Sequence, residues 1–158
     1  MALSRGRRLG IDVGLARIGI AASDPDSILA TPVETLHVSD GPENEAAQWG
    51  KEIARVLELA HEYDAVAVVV GIPASLAGRH TQSTEMARSF CEQLETLLPE
   101  GIELFTSDER LSTVQATGQL RSAGKNAKKQ RSIIDQAAAV AILQSWIDSQ
   151  RAAPDALP

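Results

Sequence analysis

A single α/β layer domain is the fold class this sequence predicts, on three observations. Two strand-like segments, "RRLGIDVG" and "ARIGIAAS", flank a short turn at Gly14–Leu15–Ala16 and read as a hairpin. The run "AVAVVVGIP" has no polar alternation, which fits a central strand covered on both faces. Between and after the strand-like segments, apolar residues recur at helical spacing. With 158 residues, 44% of them hydrophobic and only 3% aromatic, the chain can bury one sizeable core made of Ala, Val, Ile and Leu.

The elements follow in order. After the hairpin, "TPVETLHV" predicts a third strand. Residues 44–62 switch to helical period, with Trp49, Ile53, Val56, Leu57 and Ala60 on one face. "AVAVVVGIP" is the fourth strand, ended by Gly71 and Pro73. Residues 83–98 are helical again, with Met86, Phe90, Leu94, Leu97 and Leu98 inward, and Pro99–Glu100–Gly101 stops that helix. "GIELFTS" is the fifth strand. Ser112 with Gln115 has the form of a capping box, predicting a helix from Thr113 to about Ala123 with Gly124 as its stop. "KNAKKQR" then reads as a loop, and Ser132 with Asp135 as a second capping box opening a last helix through "IIDQAAAVAILQSWI". The order is β-β-β-α-β-α-β-α-α. One domain is expected over residues 1–150, and the end "RAAPDALP", residues 151–158, is expected to be a disordered tail.

Composition excludes several classes. No apolar run approaches the ~18–20 residues that span a bilayer, so no membrane role is expected. The start "MALSRGRRLGID" lacks the apolar core and cleavage site of a secretory signal. The one cysteine, Cys91, cannot form an internal disulfide, and a cytoplasmic location is expected. Cys91 lies beside the inward face of its helix and reads as packing. His37, His61 and His80 have no ligand spacing, and Trp49 and Trp146 fall on or near buried faces.

The net charge of −6 conceals a division. From Asp24 to Glu109 there are seventeen acids against four bases. From Arg110 to Arg131 there are six basic residues (Arg110, Arg121, Lys125, Lys128, Lys129, Arg131) and no acid. Such a stripe suits the phosphates of a polyanion, though a solvated basic loop would have the same composition.

Three acids stand out. In "LGIDVG", Leu9, Ile11 and Val13 point to one face while Gly10, Asp12 and Gly14 point to the other. A carboxylate on a covered face is costly unless something pairs it, and the glycines leave room for a ligand. In "TSDERLST", Glu109 stands at the carboxyl end of a strand, where open α/β sheets place ligand sites, with Asp108 as the competing candidate. Asp135 stands at the head of a well-buried helix. Each alone has an ordinary reading, as a turn, surface or capping acid. Gathered at one end of the sheet, any two ~4 Å apart would repel by roughly 4 kcal/mol at an effective dielectric near 20. A divalent cation would relieve that, and oxygen ligands suit Mg²⁺ or Mn²⁺.

At these residues the chain resembles a known family. "GIDVGLARIGIA", "VVVGIP", "SDERLST" and "KKQRSIIDQAAAVAILQSW" occur in the order seen in the YqgF (RuvX) family, over about Arg7 to Trp146. The resemblance implies an RNase H-like fold related to the RuvC resolvases, with a mixed central sheet and helices on both faces. It implies a metal-dependent endonuclease acting in 5′-end processing of precursor 16S rRNA, with catalytic and metal-binding residues at Asp12, Glu109 and Asp135. It matches Arg17 and Arg110 to the family's basic positions. The segment "GIPASLAGRH" departs from the more usual Gly-x-Pro-x-Asn-x-Asp-Gly, with Ser75 and Ala77 in place of Asn and Asp.

The expected mechanism is two-metal hydrolysis: a pair of Mg²⁺ or Mn²⁺ ions activates water and neutralises the leaving oxygen. Arg17, Arg110, Lys125, Lys128, Lys129 and Arg131 would bind substrate phosphates. The expected partner is nucleic acid, precursor rRNA before branched DNA, and the protein is expected to be a monomer or homodimer. A Holliday junction resolvase acting on DNA and a non-catalytic RNA-binding or assembly factor are the alternatives. An ATP-binding module of the sugar-kinase type shares the Asp-x-Gly hairpin but needs two such lobes.

Overall fold

A computed structural model describes residues 3–14, 16–38, 49–73, 82–108 and 127–152, with the backbone alone at 82–83, 108, 127–133 and 152. Five strands form one sheet: β1 (Arg7–Val13), β2 (Arg17–Ser23), β3 (Ala30–His37), β4 (Ala65–Ile72) and β5 (Glu103–Asp108). Their order is β3-β2-β1-β4-β5. The β1–β2–β3 meander is antiparallel, while β1, β4 and β5 run parallel, so the sheet is mixed as expected. Helices α1 (Gly50–Glu62) and α2 (Gln82–Leu97) cover one face. Helix α3 (Ala127–Ala152) covers the other.

Alternation along the strands builds two cores. Leu9, Ile11 and Val13 of β1, Ile18 and Ile20 of β2, and Val68 and Val70 of β4 meet Ile53, Val56, Phe90 and Leu94 on the α1/α2 side. Trp49 enters this core at the head of α1, its ring edge-on to Phe90 at 5.6 Å and its Nε1–H donating to Ser89 Oγ at 3.3 Å. On the other side Ala21 and Val69 meet Ala139, Ile142, Leu143, Trp146 and Ile147 of α3. That helix lies almost on the sheet. A Cβ added to Gly10 would sit 2.6 Å from Leu143 Cβ and 2.9 Å from the Ala139 carbonyl oxygen.

The far end of α3 is fastened to the β2–β3 turn. The Asp24 carboxylate accepts the amide N–H groups of Asp26, Ile28 and Leu29 at 3.1, 2.7 and 2.8 Å. Gln144 accepts from Ala30 N–H at 2.8 Å and donates to the Ile28 carbonyl at 2.9 Å. Arg151 donates to the carbonyls of Asp26 and Ser27 at 2.9 and 3.0 Å. Helix α3 therefore continues through Arg151 and Ala152, two residues into the span expected to be tail.

Three other expectations change. Helix α3 begins at Ala127, so "AKKQR" is helical and Asp135 lies about two turns in, where it caps nothing. Lys, Gln and Arg are strong helix formers and no Gly or Pro separates them from Ser132, so the helix simply starts earlier. Leu97, expected inward, is 55% exposed at the last position of α2, while Leu98 packs partly into the core. In α1 the fully buried leucine is Leu59, with Leu57 only partly covered. The helix expected over Thr113–Ala123 lies outside the described residues.

Candidate functional site

The strand register lines up one residue from each strand across the sheet. Thr35 of β3 stands beside Gly19 of β2, Gly19 beside Asp12 of β1, Asp12 beside Gly71 of β4, and Gly71 beside Ser107 of β5. Neighbours in register share a face, so Asp12 projects on the α3 side with a glycine on either hand. No side chain crowds it from its own row. The row crosses near the carboxyl ends of the three parallel strands.

Asp135 is set over this row by the close approach of α3. A Cβ at Gly19 would fall on the Asp135 carbonyl, so only glycine lets the helix settle there. Because Gly19 is the direct partner of Asp12, with paired Cα atoms roughly 5 Å apart, the two aspartates occupy one corner of the molecule. The next helical residue, Gln136, donates to Thr35 Oγ1 at 3.1 Å and fixes the helix over the same row.

Arg17 closes the corner. It is the first residue of β2, two before Gly19 on the same face, and its carbonyl accepts the Gly14 N–H at 2.9 Å across the β1–β2 turn. Its Nε–H donates to Asp135 Oδ2 at 2.6 Å, a short charge-assisted contact. The two side chains are 28% and 18% exposed, which shields the pair from full solvent screening without removing it from water.

The other expected site residues are placed as follows. Glu109, Arg110 and Lys125 lie outside the described residues, as do Ser75, Ala77 and His80. Lys128, Lys129 and Arg131 are in the opening turns of α3, upstream of Asp135. Asp108 ends β5 opposite Ile72, one position out of the Asp12 row. Among the described residues no group of three or more His, Cys, Asp or Glu is gathered to hold a metal.

The residues set aside as packing behave so. Trp49 and Trp146 are 2% and 7% exposed, and burial, followed by the nearby Glu95 and Glu92, pushes the Cys91 thiol up to about 11. Neither indole offers a stacking platform, and that thiol is a poor nucleophile. Sequence reasoning missed the Arg17–Asp135 pair and the part played by Gly19. A glycine inside the strand "RIGIA" was a signal, since such glycines often mark a close backbone approach.

A family model described as "RuvX: Holliday junction resolvase" matches residues 6–149. A relative from Nocardia farcinica, named "Putative pre-16S rRNA nuclease", is 49% identical over 149 residues, covering 94% of this chain and 81% of its own. One of the same name from Mycobacterium tuberculosis is 52% identical over 150 residues, covering 94% of this chain and 82% of its own. Among solved structures, Thermus thermophilus RuvC in complex with a Holliday junction substrate aligns with a TM-score of 0.55 at 19% identity, over 92% of this chain and 96% of that one. The yeast mitochondrial Holliday junction resolvase Ydc2 aligns with a TM-score of 0.56 at 10% identity, over 96% and 81%. These structural likenesses establish the fold, which is RNase H-like.

Proposed function

The chain belongs to the RuvX family, and from that membership we propose that it is a divalent-metal-dependent endonuclease acting on the 5′ end of precursor 16S rRNA. The observation that carries the reading is the corner where α3 rests on Gly19 and brings Asp135 beside Asp12. A fold that needs only stability has no reason to set two acids in one corner, one of them with a glycine on either hand.

The residues suit a magnesium or manganese ion. The donors are carboxylate oxygens, which hard divalent cations prefer, and a guanidinium already stands as a cation on Asp135. Asp12 and Asp135 would hold the ion, with Glu109 as third ligand. Glu109 is the acid that the family resemblance matches, and the competing Asp108 pairs with Ile72, one position out of the Asp12 row. When bound, such an ion supplies an activated water and neutralises charge at the phosphate, singly or as a pair.

The protein's own groups do the rest. Strand pairing on both sides fixes the Asp12 backbone, and with it the face from which its carboxylate projects, before substrate arrives. On the β4 side the neighbour of Asp12 in the row is Gly71, where a backbone phosphate would approach. Arg17 and Arg110 supply guanidinium forks for phosphate oxygens. Lys125, Lys128, Lys129 and Arg131 guide the strand electrostatically and carry no base readout. The reading places the protein in the cytoplasm, with nucleic acid as its partner.

The test is cleavage of a 5′-extended 16S precursor and of a four-way DNA junction, with Mg²⁺ or Mn²⁺, by wild type and Asp12→Asn. Wild type should cut the RNA, and Asp12→Asn should bind it without cutting. Preferential cutting of the junction would transfer the reading to DNA. Equal cutting by both proteins would remove the site.

A further inference from the structure

We propose that Arg17 is an internal counter-ion of the two-aspartate corner: it holds Asp135 while no divalent cation is bound, and leaves it for a phosphate of the nucleic-acid strand when one binds. This rests on the metal-dependent reading above and adds to it a coupling between cation and strand.

The geometry sets up the exchange. Arg17 and Asp135 come from elements 118 residues apart in sequence, and they meet at 2.6 Å between Nε and Oδ2. The Arg17 backbone is anchored, since β2 pairs it with His37 and its carbonyl receives the Gly14 N–H. Its side chain reaches the carboxylate by that single Nε contact, not by the two-point fork of which a guanidinium is capable. One end of the pair is therefore fixed in the sheet, while the guanidinium can turn away about its own side-chain bonds.

Charge decides who may occupy the corner. Two acids in one corner, Asp12 and Asp135, concentrate negative charge there, and the guanidinium on Asp135 offsets part of it in the absence of metal. A divalent cation offsets it more strongly, and then the guanidinium and the cation repel each other across the same carboxylate. Once released, Arg17 carries a planar donor fork that matches phosphate oxygens. Nucleic acid thus removes the competitor of the cation, and the cation frees a ligand for nucleic acid. Such linkage is reciprocal. A guanidinium that stayed on Asp135 would also weaken the cation, but its removal would not alter how Mn²⁺ changes RNA binding.

The experiment titrates Mn²⁺ calorimetrically into the full chain as wild type, Arg17→Met and Arg17→Gln, with the Asp135→Asn background as control. Binding of a short, uncleavable 2′-O-methyl RNA is then measured with and without Mn²⁺. Either neutral variant should bind Mn²⁺ roughly tenfold more tightly than wild type, within the range usual for coupled sites. In the Asp135→Asn background the same substitutions should change nothing. Mn²⁺ should strengthen RNA binding by a larger factor in wild type than in the variants, which lack the released guanidinium. Equal or weaker Mn²⁺ binding by the variants would overturn the counter-ion role and leave the metal site standing. No Mn²⁺ binding by wild type or variants would overturn both.

Discussion

Gly19 and Gly50 are the same residue type in opposite circumstances. A methyl at Gly19 must displace the Asp135 carbonyl, whereas a methyl at Gly50, the first residue of α1, meets nothing within 4 Å. Gly19→Ala should destabilise the protein by roughly 2 kcal/mol or more in urea unfolding, as overpacking does, and should lower cleavage because the helix carrying Asp135 is pushed off its row. Gly50→Ala should be neutral or stabilising by up to about 1 kcal/mol, as expected in a helix. At this scale the sequence was informative about Asp12, because strand alternation alone put it opposite Leu9, Ile11 and Val13. It could not reveal that Gly19 receives α3 or that Arg17 pairs with Asp135. Those contacts join residues more than a hundred positions apart and depend on where the helix lands.

Helix α3 shows what governs an element. The Ser132–Asp135 pattern has the form of a cap, but a capping box works only where a helix actually starts. Here the helix-forming "AKKQR" lets it begin at Ala127. The apolar run behind it was legible, and Ile142, Leu143 and Ile147 are all fully buried. Leu143→Ala should cost about 2–5 kcal/mol, since it empties space directly above Gly10. A different clamp ties β3 to α1. Arg55 donates to both carboxylate oxygens of Glu34, at 2.9 and 2.8 Å, and its guanidinium holds the Glu34 carboxyl below its usual range. A carboxyl depressed in the folded state stabilises above its unfolded pKa, and that contribution is lost as pH falls through the depressed value. Glu34→Gln should therefore melt below wild type at neutral pH, and the gap should close as the pH falls through that depressed value. A gap independent of pH would mean that the ion pair contributes nothing.

Across the whole molecule, the mixed sheet, the parallel β1–β4–β5 half and the two helical layers bring distant residues to one end of one face. The element order and the buried fourth strand were readable from hydrophobic period, because each is a local pattern. The transverse row from Thr35 to Ser107 was not, since register is a property of pairs of strands. On the proposed function, this end of the sheet, and no other acidic position, is where a strand is cut. That placement is tested most directly by single-turnover cleavage of a 5′-extended 16S precursor with Mn²⁺, comparing Asp135→Asn with Asp148→Asn. Both acids lie on α3, but Asp148 is exposed and, among the described residues, accepts a hydrogen bond from Gln144 at 3.1 Å. Asp135→Asn should slow cleavage by about a hundredfold or more, while Asp148→Asn should cut at the wild-type rate. Equal rates for the two variants would contradict it.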